Sequence, residues 1–538
     1  MRPDSQFDLQ LDFLTISSAA PRVWIDDRPW QFILSGGIAS IAENRHPGRR
    51  RHASCERRIE LFLYLLYTFP IRNMLVYSAA QAADKKTYGT GTIFQPAQGV
   101  SMKSVKKTED NTMLQKRRTL LTGGLVAGLA ATALPSELLA KDSKAAGLAL
   151  DRAKWGTRNH QQLQALLARN GNSSAGYNPK RRPYAVFDWD NTSIMNDTEE
   201  ALLMYQINTL SFKLSPQEMG AIIRQNVPAG PFAADFKNAA GKAVDLEAIC
   251  SDIDDDYQYL YDNYEKLNGS RKLEEIRETA QFQDFRAKLY YLYEAVNETY
   301  GVNVGYPWVI YFFTNMSVAE VQQLAEASND HNLGLGLVKT KYTSPAAQPG
   351  QAGIVSVTHF HGIRLCTEIA TLMDALQQSG IDVYVSSASL EDVVAVFATT
   401  PKYGYNVKRE HVLGLRLETA NGVFVNRYKA GWPLNWGPGK TEVIKKELVA
   451  AKGYGPVFVA GDSDGDYDML RDFADTQLGM IVNRMKKGKI GDLSKLAADQ
   501  IPAKSPRFLL QGRNELTGNW MPSEASIKYG KTGETLLG

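Results

Sequence analysis

The stretch Tyr184-Ala-Val-Phe-Asp188-Trp-Asp190-Asn-Thr192 joins a short apolar run to two aspartates and a threonine. An apolar run of this length between polar residues is typical of a strand that is buried on both faces. Side chains that follow such a strand in a parallel sheet lie at its carboxyl edge, where the active groups of α/β folds collect. The stretch therefore predicts an α/β fold with Asp188 and Asp190 at the functional edge of the sheet.

Further strand and helix patterns alternate along the chain. Apolar runs typical of strands lie at 383–385, 456–460 and 479–482, and apolar residues recur at helical spacing over 365–376. Strands that alternate with helices predict a mostly parallel sheet with helices on both faces. Asn421-Gly422, between the apolar runs at 413–417 and 423–425, is typical of a hairpin turn.

Two carboxylates placed two residues apart after a buried strand suit phosphoryl transfer. Asp188 could attack phosphorus while Asp190 handles the proton of the leaving group. Aspartate pairs are also common in surface loops, so this spacing alone does not separate the two interpretations. Further motifs follow in a consistent order: Ser387, Lys440, and Asp462 with Asp466. A hydroxyl, an ammonium group and clustered carboxylates are the groups that bind phosphate oxygens and Mg²⁺.

The four motifs together resemble those of the haloacid dehalogenase superfamily of phosphatases, which have a Rossmann-like core with a parallel sheet. The resemblance implies that Asp188 is the nucleophile that forms an aspartyl-phosphate. It also implies that Asp190 protonates the leaving alkoxide and then activates the water that hydrolyses the intermediate. The implied Mg²⁺ ligands are the carboxylate of Asp188, the backbone carbonyl of Asp190 and the carboxylate of Asp462, with Asp466 close by.

The same resemblance assigns the groups that bind phosphate. Thr192 and Ser387 would bind phosphate oxygens, and Lys440 would balance the charge around Asp188. Ser386 is adjacent to Ser387. We choose Ser387 because it immediately precedes Ala388-Ser389, as in related phosphatases.

The segment between Asp190 and Ser387 is far longer than the single helix that a parallel crossover requires. Helical patterns dominate it, for example at 199–210 and 282–300. Such an insertion would exclude water from the phosphate and recognise the leaving group. We therefore expect a large, mainly helical cap at 193–354, inserted between the first and second motifs, and a phosphatase core at 150–192 and 355–538.

Several elements of this segment resemble the bacterial phosphorylcholine phosphatases: Glu199-Glu200, Tyr306-Pro-Trp308, Thr314-Asn-Met316 and Gly362-Ile-Arg. In that family an acidic pair at this distance from the nucleophile helps to bind the trimethylammonium group, and aromatic faces complete a cage. A permanent cation without hydrogen-bond donors can be recognised only by anions and π faces. The candidate head-group residues are Glu199, Glu200, Trp189, Tyr257, Tyr261 and Trp308.

These head-group assignments have structural alternatives. Glu199 and Glu200 follow Asp197 at the predicted start of a helix, where Glu200 could complete a capping box and Glu199 could interact with the helix dipole. Tyr257 and Tyr261 are spaced as one face of a helix and could pack in the core of the cap.

An export signal is predicted inside the chain. Met113-Leu-Gln-Lys-Arg-Arg-Thr leads into a weakly apolar stretch rich in glycine and alanine at 120–134. This pattern is typical of a twin-arginine signal over 113–140, and its glycines disfavour the alternative of a buried helix. Residues 1–112 lack sustained periodicity, and a signal headed by Met113 favours a start codon assigned too far upstream. We expect 1–112 to be disordered or absent from the natural protein, and the enzyme to be periplasmic or secreted.

Composition excludes other classes. The 538 residues include 61 basic and 58 acidic side chains, so bulk charge favours neither a nucleic-acid binder nor an acidic disordered chain. A nucleic-acid or membrane-surface arm is still the alternative for the basic cluster at 49–58. The 3 cysteines are too few for a disulfide framework, although Cys250 and Cys366 could pair after export. No apolar run reaches the ~18 residues that a spanning helix needs.

These observations predict an exported, Mg²⁺-dependent phosphomonoesterase that acts through an aspartyl-phosphate. The favoured substrate is phosphocholine, and phosphoethanolamine or another small phosphate ester is the alternative. Neither nucleic acid nor stable membrane insertion is expected. A catalytically silent protein that binds choline-type cations is an alternative of another class. The intact set of Asp188, Asp190, Lys440 and Asp462 argues against it, because a pure binder has no use for a nucleophile beside a metal site.

Overall fold

The computed structural model describes three strands near the N-terminus and residues 150–538. The chain divides into two compact units, Met1–Leu129 and Ala130–Gly538. In the first unit β1 (Arg22–Ile25), β2 (Arg28–Ser35) and β3 (Ile38–Glu43) form an antiparallel sheet. The rest of the 1–112 segment and the whole predicted signal at 113–140 lie outside the described residues, so both predictions stay predictions.

The elements of the second unit follow in chain order. It begins with α1 (Thr157–Asn170), β4 (Tyr184–Phe187) and β5 (Ile194–Met195). The next elements are α2 (Thr198–Thr209), α3 (Pro216–Arg224), α4 (Leu246–Asn263), α5 (Leu273–Arg277), α6 (Ala280–Tyr300), α7 (Val302–Ile310), α8 (Val318–Gly334), β6 (Val338–Thr343), β7 (Ser356–His361) and β8 (Arg364–Leu365).

The remaining elements are α9 (Thr367–Gln378), β9 (Asp382–Leu390), α10 (Glu391–Thr399), β10 (Val412–Leu415), β11 (Leu417–Ala420), β12 (Val423–Tyr428), α11 (Pro438–Ile444), α12 (Ala450–Lys452), β13 (Phe458–Gly461), α13 (Tyr467–Arg471), β14 (Leu478–Asn483), α14 (Lys489–Asp499), β15 (Phe508–Gly512), β16 (Ser526–Ile527) and β17 (Glu534–Thr535). Short 3₁₀ turns lie at Tyr311–Phe313, Pro401–Tyr403 and Arg409–His411, and a π-helical turn lies at Lys445–Val449.

The core is a six-stranded parallel sheet in the order β10-β9-β4-β13-β14-β15. Strand β4 lies between β9 and β13, and Phe187 pairs with Val385 on one side and Ala460 on the other. Because these strands run in the same direction, the residues that follow them share one edge of the sheet. This confirms the predicted α/β fold and brings the motif-bearing segments together.

Both faces of the sheet are covered, as its fully buried strands predict. In β4, Ala185 and Phe187 belong to one hydrophobic cluster, whereas Tyr184 and Val186 belong to another. Successive side chains of a strand point to opposite faces, so the two clusters lie on opposite sides of the sheet.

The hairpin at Asn421-Gly422 is confirmed. Strands β11 and β12 are antiparallel, and both turn residues have positive φ, 52° and 81°, as a type I′ turn requires. The first hairpin strand begins at Leu417, later than expected, because residues 412–415 instead form the outermost strand of the parallel sheet.

The insertion between the first two motifs is mainly helical, as predicted. Helices α2 and α6 cover the helical patterns expected at 199–210 and 282–300. Strands β6 and β7 pair across the predicted boundary between 354 and 355, and the domain division itself stays a prediction. Within the described part of the chain, none of the helices combines the length and the apolar character needed to cross a bilayer.

A buried ion network lies inside the cap. The ammonium group of Lys288 on α6 lies 2.9 Å from Asp252 and 2.7 Å from Asp284, and all three side chains are buried. Asp252 also accepts the backbone N–H groups of Gln351 and Ala352, at 2.6 and 2.9 Å. The network therefore ties α4 and α6 to the loop that precedes β7.

Cys250 and Cys366, which the sequence left as a possible disulfide pair, are not bonded to each other. Cys250 lies on α4 in the cap and Cys366 directly precedes α9 in the core. Both are buried free thiols, and burial raises the pKa of each.

Candidate active site

Asp188 stands at the centre of a charged cluster at the carboxyl edge of the sheet. The ammonium group of Lys440, on α11, donates to Asp188 Oδ1 at 2.5 Å and to Asp466 Oδ1 at 2.7 Å. The hydroxyl of Thr192 donates to Asp188 Oδ2 at 2.7 Å and to Asp462 Oδ1 at 3.2 Å. The structure thus brings together residues of the first, third and fourth predicted motifs.

Asp188, Asp462 and Asp466 have the donor set of a site for a hard cation. One carboxylate oxygen from each lies within 4.8 Å of the others, and all three side chains are buried. Burial and the neighbouring carboxylate of Asp466 raise the pKa of Asp188 well above its ordinary value. Mg²⁺ prefers oxygen ligands, and its charge would offset this repulsion. The three residues therefore fit the predicted ion.

The carboxylate of Asp190 faces away from that cluster. It accepts the Thr198 backbone N–H at 2.7 Å, the Ser387 hydroxyl at 3.1 Å and the Ser389 hydroxyl at 2.8 Å. These contacts hold the side chain between the start of α2 and the end of β9, and the backbone carbonyl of Asp190 stays its predicted metal ligand. Burial raises the pKa of the Asp190 carboxyl, which favours a protonated group able to donate to a leaving oxygen.

The serines at the end of β9 occupy distinct positions. Ser387 donates to Asp190, whereas Ser386 donates to the side-chain oxygen of Asn435 at 3.1 Å on the other side of the strand. This geometry favours Ser387 over Ser386 as the motif residue. Neither Ser387 nor Thr192 lines the open cavity, and both hydroxyls donate to carboxylates. Ser389, which the sequence interpretation did not select, does line the cavity.

A cavity of about 260 Å³ extends from the aspartates to the cap. At its catalytic end lie Asp188, Asp190, Lys440 and Asp462, with Arg484. At its cap end lie Asp197, Glu199, Glu200, Tyr293 and Tyr306, and Trp436 forms part of the wall. The volume suits a small molecule better than a macromolecular substrate.

The acidic pair lies at the start of α2, and both members line the cavity. Asp197 caps the helix by accepting the backbone N–H groups of Glu199 and Glu200, each at 2.9 Å. Glu200 closes no capping box, because its side chain accepts the Tyr293 hydroxyl at 3.4 Å instead. Glu199 accepts the Leu390 backbone N–H at 2.9 Å, so it also supports the end of β9.

Burial raises the pKa values of the carboxyl groups of Asp197, Glu199 and Glu200. It raises the pKa of Glu199 to about 8, and it raises that of Glu200 as well. For Asp197, burial and the neighbouring Asp190 carboxylate raise the pKa well above its ordinary value. None of the three makes an ion pair with another described residue. A bound cation would stabilise their ionised forms.

Four predicted head-group residues lie away from the cavity, which corrects their assignment as its walls. Tyr257 donates to the Leu214 carbonyl and stacks on Phe285, and Tyr261 packs beside it, so the alternative of a cap core is the observed one. Trp308 donates to the Ile223 carbonyl inside the cap. Trp189 is fully buried in the core, with its ring 4.9 Å from that of Tyr405.

The aromatic side chains that do line the cavity are those of Tyr293, Tyr306, Phe360 and Trp436, together with the imidazole ring of His359. Tyr306 belongs to the Tyr306-Pro-Trp308 element. The sequence therefore identified the correct element, but Trp308 was chosen as the head-group residue in place of Tyr306. Tyr293 lies in an α6 sequence with several aromatic residues on more than one face. No local pattern marks Trp436, which immediately precedes the turn into α11.

Comparisons with known proteins agree with this geometry. The family of haloacid dehalogenase-like hydrolases matches residues 322–471. The phosphorylcholine phosphatase of Pseudomonas aeruginosa is 26% identical over 359 residues, which cover 62% of this chain and 81% of that protein. A crystal structure of a conserved, functionally unknown protein from Anaerococcus prevotii is 35% identical, with a TM-score of 0.67, and the match covers 71% of this chain and 98% of that one.

Residues 322–471 match the haloacid dehalogenase-like hydrolases, and the parallel sheet and motif residues of the chain agree with that family. Within them its enzyme class is that of the phosphoric monoester hydrolases, as the predicted motifs imply. Its similarity to the Pseudomonas phosphatase extends over both the core and the cap-forming segment, since the match spans 62% of the chain.

Proposed function

We propose that the chain is an exported, Mg²⁺-dependent phosphatase that hydrolyses phosphocholine to choline and phosphate. The observation that carries the choice of substrate is the acidic cap end of the cavity, where Asp197, Glu199 and Glu200 form no ion pair among the described residues, although Arg484 and Lys486 line the same cavity. Tyr293 and Tyr306 lie beside these carboxylates. Anions with adjacent π faces are what a quaternary ammonium group requires. The similarity to the Pseudomonas phosphorylcholine phosphatase supports the same substrate.

In the proposed reaction Asp188 attacks phosphorus and forms an aspartyl-phosphate. Asp190 donates its proton to the leaving choline oxygen and then accepts a proton from the water that hydrolyses the intermediate. Lys440 holds Asp188 in place and balances its charge, and the hydroxyls of Thr192 and Ser387 orient the two aspartates. Mg²⁺ held by Asp188, Asp462 and Asp466 would neutralise charge on the phosphate.

Phosphoethanolamine is the second candidate, because its primary ammonium group can donate hydrogen bonds directly to the carboxylates of Asp197 and Glu200. Export through the twin-arginine pattern at 113–140 is part of the proposal, and it is supported by the sequence of that segment alone. N-terminal sequencing of the exported protein tests it, and finding residues from 1–112 there would contradict it.

Glu200→Gln is expected to weaken phosphocholine binding selectively, since it removes a negative charge beside the head group at unchanged size. A cation contact of this kind contributes ~1 to 2 kcal/mol, which corresponds to a roughly 5- to 30-fold rise in KM for phosphocholine. The KM for 4-nitrophenyl phosphate should hardly change. Steady-state kinetics with both substrates measure the difference.

Glu274→Gln is the matched control, because Glu274 is exposed on α5 of the cap. It should change neither KM. If Glu200→Gln raises the KM for phosphocholine and the KM for 4-nitrophenyl phosphate equally, a role of Glu200 in head-group recognition is contradicted.

Removal of divalent cations with EDTA is expected to abolish phosphatase activity, and Mg²⁺ should restore it. Mg²⁺ at about 100 times its Kd should also stabilise the fold by about 2.7 kcal/mol, which a thermal shift detects independently of activity. Asp462→Asn should require more Mg²⁺ for both effects, because it removes one carboxylate of the cluster. Full activity after exhaustive EDTA treatment would contradict the metal dependence.

A further inference from the structure

Arg513 connects the outermost strand of the sheet to the turn that carries Asp190. It follows β15, which is separated from β4 by two strands, yet its guanidinium group donates to the Asn191 carbonyl at 2.9 Å and to Asn191 Oδ1 at 3.3 Å. The same group donates twice to Glu515, at 3.0 and 2.7 Å. The arginine is 1% exposed, so these contacts are made away from solvent.

The residue that Arg513 holds has an unusual backbone conformation. Asn191 has a φ of 63°, in the left-handed region that few residues other than glycine and asparagine adopt readily. Its N–H donates to the Asn196 carbonyl at 3.1 Å, and its side-chain oxygen accepts the Asn196 N–H at 3.2 Å. Asp190 directly precedes Asn191, so a fixed conformation of Asn191 keeps the Asp190 backbone where its carboxylate can accept from Thr198, Ser387 and Ser389.

We propose that Arg513 is a positioning residue for proton transfer. By holding Asn191, it keeps the Asp190 carboxylate aimed at the leaving oxygen. The inference rests on the proposed function, because it takes Asp190 as the group that donates the proton.

The geometry favours positioning over simple filling of the core. A buried guanidinium group costs free energy unless it is paired and hydrogen-bonded. Glu515 supplies the counter-charge, but two of the donor contacts of Arg513 are made to Asn191, one to its backbone and one to its side chain. A planar fork of this kind fixes direction as well as distance, which a lysine cannot reproduce.

The test compares substrates that differ in their need for an acid. Ethyl phosphate has a poor leaving group that must be protonated, whereas 4-nitrophenolate leaves without help. Arg513→Lys keeps the charge and loses the fork. Since a displacement of about 1 Å can cost ~100-fold in rate, kcat/KM for ethyl phosphate should fall ~10- to 100-fold more than kcat/KM for 4-nitrophenyl phosphate. The quantity kcat/KM is used because it reports the step in which the leaving group departs.

Two variants calibrate this comparison. Arg507→Lys, just before the opposite end of β15, removes a guanidinium group that donates to the Phe473 carbonyl, and it should leave the ratio of the two kcat/KM values unchanged. Asp190→Asn should show the same selective loss as Arg513→Lys but larger, about 10²- to 10⁴-fold.

Equal losses for the two substrates in Arg513→Lys, with a selective loss in Asp190→Asn, would overturn the role of Arg513 and leave the proposed function standing. The absence of a selective loss in Asp190→Asn would overturn both. If Arg513→Lys does not fold, as judged by thermal unfolding, Glu515→Gln keeps the arginine and removes the charge that orients it. That variant should show the same selective loss at smaller size, and equal losses there would overturn the proposal.

Discussion

Asp188→Asn should lower kcat by ~10⁴- to 10⁶-fold and leave the fold intact, because the substitution removes the attacking oxygen at unchanged size. The amide can still accept from Lys440, so the local packing should persist. Added Mg²⁺ should not restore turnover, in contrast to Asp462→Asn. Phosphate release measures the loss, and acid quenching of wild-type enzyme with labelled substrate should trap a phosphoenzyme that the variant lacks.

The matched control for this variant is Asp492→Asn, which makes the same exchange at an exposed position on α14. It should keep wild-type turnover. Near wild-type activity in Asp188→Asn, or an equal yield of labelled phosphoenzyme, would contradict covalent catalysis by this residue.

Lys288→Met should destabilise the cap by about 3 to 5 kcal/mol, because it leaves Asp252 and Asp284 buried without their counter-charge. Lysine and methionine are similar in length, so the loss would reflect charge rather than an empty volume. Denaturant unfolding followed by tryptophan fluorescence measures it.

Lys272→Met is the control, because the ion pair of Lys272 with Glu265 lies at the surface. Exposed pairs contribute ~0 to 1 kcal/mol, so this variant should be close to wild type. The double variant Lys288→Met with Asp284→Asn should regain part of the lost stability. Similar losses for the two lysine variants would contradict the importance of the buried network.

The catalytic end of the cavity could be predicted because parallel strands bring distant residues to one edge. Asp188, Ser387 and Asp462 each lie in or just after a recognisable apolar strand, and β9, β4 and β13 are neighbours in the sheet. The ends of the apolar strands in the sequence therefore predicted which of these side chains lie close together in space. Lys440 was found through the order of the motifs, since one lysine near a helix start carries little information by itself.

The cap end could not be predicted in the same way. Helical spacing indicates which residues share a face, but α4 and α6 bury more than one face, so Tyr257 and Tyr293 have equivalent local patterns. Only the packing of the helices decides that Tyr257 enters the cap core and Tyr293 the cavity. Arg513 was missed for a related reason: it acts on Asn191 across 322 positions of sequence, and no motif surrounds it.

The two-residue pairing of β5 with β8 has a consequence for how such an enzyme can change over time. Ile194 pairs with Leu365 and Met195 with Arg364, so the chain leaves the core and returns to it at adjacent points. Paired strands are only about 5 Å apart, and the entropy of closing a loop rises slowly, by about 0.6 kcal/mol for each doubling of its length. Beyond the start of α2, where Thr198 and Glu199 contact Asp190 and Leu390, the segment between these points can change in length without shifting the register of the parallel sheet. Selectivity and chemistry can thus evolve as separable modules of one polypeptide.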